Sequence, residues 1–218
     1  MRCGASVRSE LLKTIFPCVD RRRRQAAAAV LLGLSAPAAA QDVSVHKVWE
    51  AGPYSFSDEL GGFAIRGVTG TGTKDDPIVI TEELDTASPV TLVIRTIKPI
   101  RPFDYSGDFA NGFLHVAIDV TNNSALPWIE FEFELQEHRD VPSTFGDGLS
   151  FDQRRSDGAT ISSSSFASFS RDFEPFDRLL FTDGKIDHVE SGSFGFLISD
   201  FTPRWEFYLV QDPRIPSS

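Results

Sequence analysis

Glu130, Glu132 and Glu134 recur at every second position of the stretch "WIEFEFELQE" (residues 128–137). In an extended chain alternate side chains share a face, so Trp128 and the three glutamates point one way while Ile129, Phe131, Phe133 and Leu135 point the other. Carboxylates in such a row suit three kinds of chemistry. With a second carboxylate opposite, here Asp119, they form the acid and base of glycoside hydrolysis. With a shared cation they form a metal or partner site. With Lys or Arg on a neighbouring strand they form an ordinary solvated face, and Arg95 and Lys98 are the cations the sequence offers for it. By phase, Trp128 adds an aromatic ring to the acidic face, of the sort on which a sugar stacks, although a tryptophan at a strand start is more commonly packed under a loop and one ring is a poor carbohydrate platform. Trp128, Glu130, Glu132, Glu134 and Asp119 are therefore the candidate binding residues.

A second set of carboxylates points to calcium. "GDGLSFDQ" places Asp147 and Asp152 around a Gly-Leu turn, and "TKDDP" places Asp75 and Asp76 before an apolar run. Calcium takes oxygen ligands, which makes Asp147 and Asp152 the candidate metal ligands, but neither stretch has the twelve-residue loop with a closing glutamate. Asp-Gly is equally the vocabulary of a hairpin turn. No cofactor is assigned, and calcium is the one that these residues leave open.

The other routes to catalysis are not spelled out. His46, His115, His138 and His188 each stand apart from a second ligand at zinc-like spacing, and no HExxH or GxSxG stretch occurs. The glycine-rich segment 61–77 lacks the Lys-Ser/Thr ending and the following helix of a phosphate-binding loop. No catalytic residue is assigned. Trp49 and Trp205 are the remaining tryptophans that a sugar-binding module would expose.

The elements that must position these residues are strands. Apolar alternation marks residues 43–49, 78–82, 90–97, 113–121, 128–137, 178–181, 193–199 and 205–211, with Gly, Pro, Asn, Asp and Ser between them. This spacing predicts an all-β fold, a single-domain antiparallel β-sandwich of immunoglobulin-like or jelly-roll-like kind. Two hairpins are expected. In the first, "NNSALP" joins residues 113–121 to 128–137 and sets Asp119 opposite Glu130 and His115 opposite Glu134. In the second, "DFTPR" joins Phe194, Phe196 and Ile198 to a continuing row of Trp205, Phe207 and Leu209. Segments 61–77 and 101–112 read as loops, and the serine-rich segment 157–172 as a frayed edge strand. Eighteen of the nineteen phenylalanines lie after residue 40, so Phe is the expected filler between the sheets.

The first forty residues read as a leader. Arg21 to Arg24 precede a short apolar run that ends at Ala38-Ala39-Ala40, the layout of a secretory signal peptide cleaved before Gln41. The domain is then residues 41–218. That apolar run is too short to span a bilayer, so no transmembrane anchor is expected. Both cysteines, Cys3 and Cys18, fall in the leader, which leaves a domain without disulfides in an oxidising compartment. Beyond residue 40 the chain has 14 basic and 29 acidic residues, a net charge of −15. Such a surface repels nucleic acid. The expected location is periplasmic or secreted.

The stretches "DGLSFDQ", "EPFDRLLFTDGKIDHVESGSFGFLISDFTP" and "FYLVQDP" resemble uncharacterised exported proteobacterial proteins with a β-sandwich ectodomain similar to PEP-CTERM-like proteins. The resemblance covers roughly residues 113–213 and implies a sandwich, with no catalytic residues to carry over. The chain departs from that class after "RIPSS", where the class continues into an apolar helix and basic tail, so surface anchoring is not implied. The expected function is an exported, non-enzymatic structural or interaction domain meeting protein or polysaccharide at the cell exterior. A carbohydrate- or calcium-binding module is the alternative, and a glycoside hydrolase the third reading.

Overall fold

Period-two alternation runs through nearly every element of the computed structural model, which describes residues 46–152, 160–171 and 174–216. The strands are β1 (Trp49–Ala51), β2 (Tyr54–Ser57), β3 (Phe63–Thr69), β4 (Ile78–Leu84), β5 (Val90–Thr96), β6 (Phe113–Asn122) and β7 (Glu130–Gln136). They continue with β8 (Leu149–Phe151), β9 (Ser162–Ser163), β10 (Phe166–Ser170), β11 (Arg178–Gly184), β12 (Ser191–Asp200) and β13 (Glu206–Arg214). Among the described residues there is no helix, and so none long and apolar enough to cross a membrane. One sheet has seven strands in the order β1-β2-β5-β13-β7-β11-β10; the other has six, ordered β3-β4-β6-β12-β8 with β9 also on β12. All pairings are antiparallel except β4 with β6. The architecture is the expected β-sandwich. The expected leader, residues 1–40, and the start of the strand proposed at residue 43 lie outside the described residues.

The core is the meeting of two inner faces. Leu114, Val116, Ile118 and Val120 of β6 and Phe194, Phe196 and Ile198 of β12 are buried on one side, and Phe131, Phe133 and Leu135 of β7 on the other. Phe131 lies 4.7 Å from Phe194 and Phe133 lies 4.9 Å from Phe196, ring centre to ring centre. Aromatic pairs at such separations add to the stability gained by burying their area.

Both expected hairpins are corrected by this arrangement. β6 pairs with β4 and β12, whereas β7 pairs with β13 and β11, so "NNSALP" crosses from one sheet to the other. Likewise β12 and β13 belong to different sheets. Asp119 stands opposite Ser193 and Thr81 rather than Glu130. Segment 61–77, read as a loop, contains β3, bulged between Ile65 and Gly67 at the edge of the smaller sheet. A bulge there interrupts the free edge and disfavours pairing with another chain. The serine-rich segment does supply an edge strand, β10.

Candidate binding site

The acidic row forms as the sequence suggests, but its neighbours differ. Glu130, Glu132 and Glu134 face outward from β7, between Arg214 and Asp212 of β13 and Arg178 of β11. Arg178 Nε donates to Glu134 at 2.6 Å, and Arg214 Nη2 donates to Glu132 at 2.7 Å. Arg214 also lies 3.6 Å from Glu130. The two flanking arginines thus pair with all three glutamates, in place of the expected Arg95 and Lys98. Arg95 instead joins Glu59 and Glu206, and Lys98 donates to the Gly107 carbonyl at 2.8 Å. Glu132 is nearly enclosed, and burial pushes its carboxyl above the usual range despite the pull of Arg214 and Arg178. A cleft of about 300 Å³ lies over this ladder, lined by Glu132, Glu134, Arg178, Asp212 and Arg214.

The other candidates do not join the row. Asp119 projects from the outer side of β6, in the opposite sheet, with the whole core between it and Glu130. The Asp119–Glu130 acid and base pair is therefore not formed. Trp128, expected beside the glutamates, is fully buried. It precedes β7, bridges to Ile186, packs edge-on to Phe131 at 5.6 Å and donates from Nε1 to Ser124 Oγ at 3.2 Å. The strand phase starts only at Glu130, so Trp128 and Ile129 exchange the environments that alternation gives them; Ile129 is exposed.

Asp147 serves the backbone, and Asp152 a neighbouring hydroxyl. Asp147 accepts from the amides of Thr144 at 2.8 Å and Leu149 at 3.0 Å, and its carbonyl takes the Thr202 hydroxyl at 2.7 Å. Asp152 is buried and accepts from the Thr160 hydroxyl at 2.7 Å. Among the described residues no three His, Cys, Asp or Glu side chains come together as a metal site.

The loops around Asp147 build a different feature. One end of the sandwich gathers the starts of β2, β6 and β13 with the ends of β5, β7 and β12, as the antiparallel registers require. The β12–β13 connection is pinned there. Asp200 Oδ1 accepts from the Thr202 amide at 2.9 Å, the Phe201 amide donates to Gly148 at 3.0 Å, and Thr96 N donates to the Trp205 carbonyl at 2.9 Å. Gly112 lets β6 approach, since a Cβ there would stand 2.1 Å from the Asp200 carbonyl oxygen. Held by its backbone, Trp205 leaves 63% of its surface exposed. It lines a cleft of about 460 Å³ at this end, with Ile100, Glu137, His138, Arg139, Arg204 and Tyr208. Arg204 pairs with Glu137, and the Tyr208 hydroxyl donates to Glu206. The expected inward row of Trp205, Phe207 and Leu209 is thereby corrected: β13 starts at Glu206, and Trp205 belongs to the loop.

The site that sequence reasoning undervalued is this cleft. Pro203 and Arg204 ahead of Trp205 were the available signal, because a proline-bearing turn delays the start of the strand phase. No protein-family model matches the chain, and no curated protein matches its sequence.

Proposed function

We propose that this chain is an exported, non-enzymatic interaction domain, periplasmic or secreted, that takes polysaccharide at the Trp205 cleft. The carrying observation is the 63% exposure of Trp205 beside a cleft of about 460 Å³. That volume is in the range of small-ligand sites, and such sites combine apolar surface with a few placed polar groups. A tryptophan whose backbone is pinned and whose ring is exposed offers a flat face to the C–H side of a sugar, while Arg139, His138 and Glu137 supply hydrogen bonds to hydroxyls. The non-enzymatic part is supported by the fate of the carboxylates: Glu130, Glu132 and Glu134 are held by arginines, and Asp119 lies on the opposite sheet.

Affinity electrophoresis against xyloglucan, mixed-linkage β-glucan, galactomannan, polygalacturonate and alginate tests the reading. The wild-type protein should be retarded by at least one polymer and Trp205→Ala should not, with unchanged melting. Equal retardation of both proteins would refute the assignment of the site.

A further inference from the structure

A second cleft, of about 380 Å³, opens at the same end of the sandwich. It is lined by Tyr105 and Phe113 together with Lys98, Thr71, Thr73 and Asn111, while Ile100, two residues on from Lys98, lines the Trp205 cleft. The segment 98–100 therefore separates the two. Tyr105 is 70% exposed, and its ring stacks on Phe113 at 6.2 Å with only 20° between the planes. Behind it Phe103 packs on both Phe113 and Phe201, at 5.8 and 6.0 Å, so the exposed ring rests on an aromatic bed. The loop beneath is tied by Ser106 donating to Asp104 at 2.9 Å and by Lys98 donating to Gly107. An exposed tyrosine that only filled space would have no reason to be buttressed in this way.

We propose that the two clefts are two ring subsites of one site, and that the occupant is a polysaccharide chain crossing segment 98–100 with one sugar ring on Trp205 and another on Tyr105. This inference rests on the reading of the Trp205 cleft and extends it. The rims decide the class of occupant. Each cleft sets aromatic rings, Trp205 and Tyr208 in one and Tyr105, Phe109 and Phe113 in the other, among hydroxyl, amide and charged groups, which matches a ligand whose rings have apolar faces and polar edges. A polymer engages the second ring intramolecularly, so its affinity exceeds that of a fragment reaching one ring.

Calorimetry of wild type, Tyr105→Ala and Trp205→Ala, with the retarding polymer and with its disaccharide, tests this. The polymer should bind wild type roughly tenfold or more tighter than the disaccharide, and each variant should lose that margin. Tyr105→Leu, which keeps apolar cover over Phe113, should behave as Tyr105→Ala and guards against loss of fold. If the Tyr105 variants bind polymer as wild type does while Trp205→Ala loses it, the second subsite is refuted and the Trp205 reading stands. If no polymer binds, or neither position matters, both fall.

Discussion

Arg214 donates to Glu132 at 2.7 Å from the neighbouring strand, and Glu132 is the one glutamate of the row that is buried. Its carboxyl is nonetheless pushed upward, so desolvation outweighs the help of two guanidinium groups. The neutral isostere is therefore well tolerated: Glu132→Gln should change stability by less than about 1 kcal/mol. Arg214→Ala removes the cation but leaves the buried acid, and should cost about 1 to 2 kcal/mol. Urea denaturation at pH 7 compares the two. Because arginines already fill the spaces between the glutamates, calcium and EDTA should leave the wild-type midpoint where it is.

The aromatic centre supports a larger effect. Phe131 is fully buried against Trp128, Phe133 and Phe194. Phe131→Ala should cost roughly 3 to 5 kcal/mol, lost burial plus a cavity. A double-mutant cycle with Phe194→Ala should show a coupling of about 0.5 to 3 kcal/mol, as expected of residues in contact across the two sheets. Additive losses would contradict the packing.

That cross-sheet contact shows why part of the fold was legible and part was not. Alternation correctly assigned Val116, Ile118, Phe131, Phe133, Phe194 and Phe196 to the inside. Yet two strands joined by a short loop have the same inner and outer faces whether they lie side by side or face each other across the core. "NNSALP" carries no residue that separates these cases, so the partner strands, and with them the Asp119–Glu130 pairing, were beyond the pattern. Arg178 was equally hidden, since it lies 44 residues from Glu134 and reaches it only through the β7–β11 pairing. The tryptophans failed for a local reason. Trp128 and Trp205 each stand just ahead of a strand, where the period does not yet hold.

These two tryptophans give opposite expectations. Trp128 is fully buried with its indole N–H satisfied by Ser124, so Trp128→Ala should cost about 3 to 5 kcal/mol. Trp205 is mostly exposed and its fixed part is backbone, so Trp205→Ala should stay within about 0.5 kcal/mol of wild type. Acrylamide quenching gives a second check: the accessible fraction of the fluorescence should vanish mainly in the Trp205 variant.

Glu82 makes stability depend on pH in an unusual direction. It points inward from β4, is fully buried, and its carboxyl is pushed from 4.5 up to about 8 by loss of solvent, with the Gln211 amide opposing that rise and Asp58 adding to it. Among the described residues neither Glu82 oxygen nor either Gln211 amide atom has a well-formed hydrogen bond, so their approach across the core only partly compensates the burial. A carboxyl whose folded value is raised holds its proton more tightly when folded. Its contribution is thus fully present below about pH 4.5 and is lost as pH rises towards 8, after which no more is lost. Glu59 supplies the opposite limb, because Arg95 lowers its carboxyl to about 2, and that contribution is present above 4.5 and lost as pH falls towards 2. Between pH 5 and 8 the Glu82 limb should therefore dominate, and the protein should become less stable by a few kcal/mol, on the order of 1.4 per unit of pH. Glu82→Gln removes the ionisation while keeping the shape. Its unfolding free energy should be nearly flat between about pH 7 and 8, above the range in which the raised Asp177 carboxyl, at about 6, and the lowered His115 contribute, and should exceed that of wild type at pH 8; a variant that tracks the wild-type slope there would place the titrating group elsewhere.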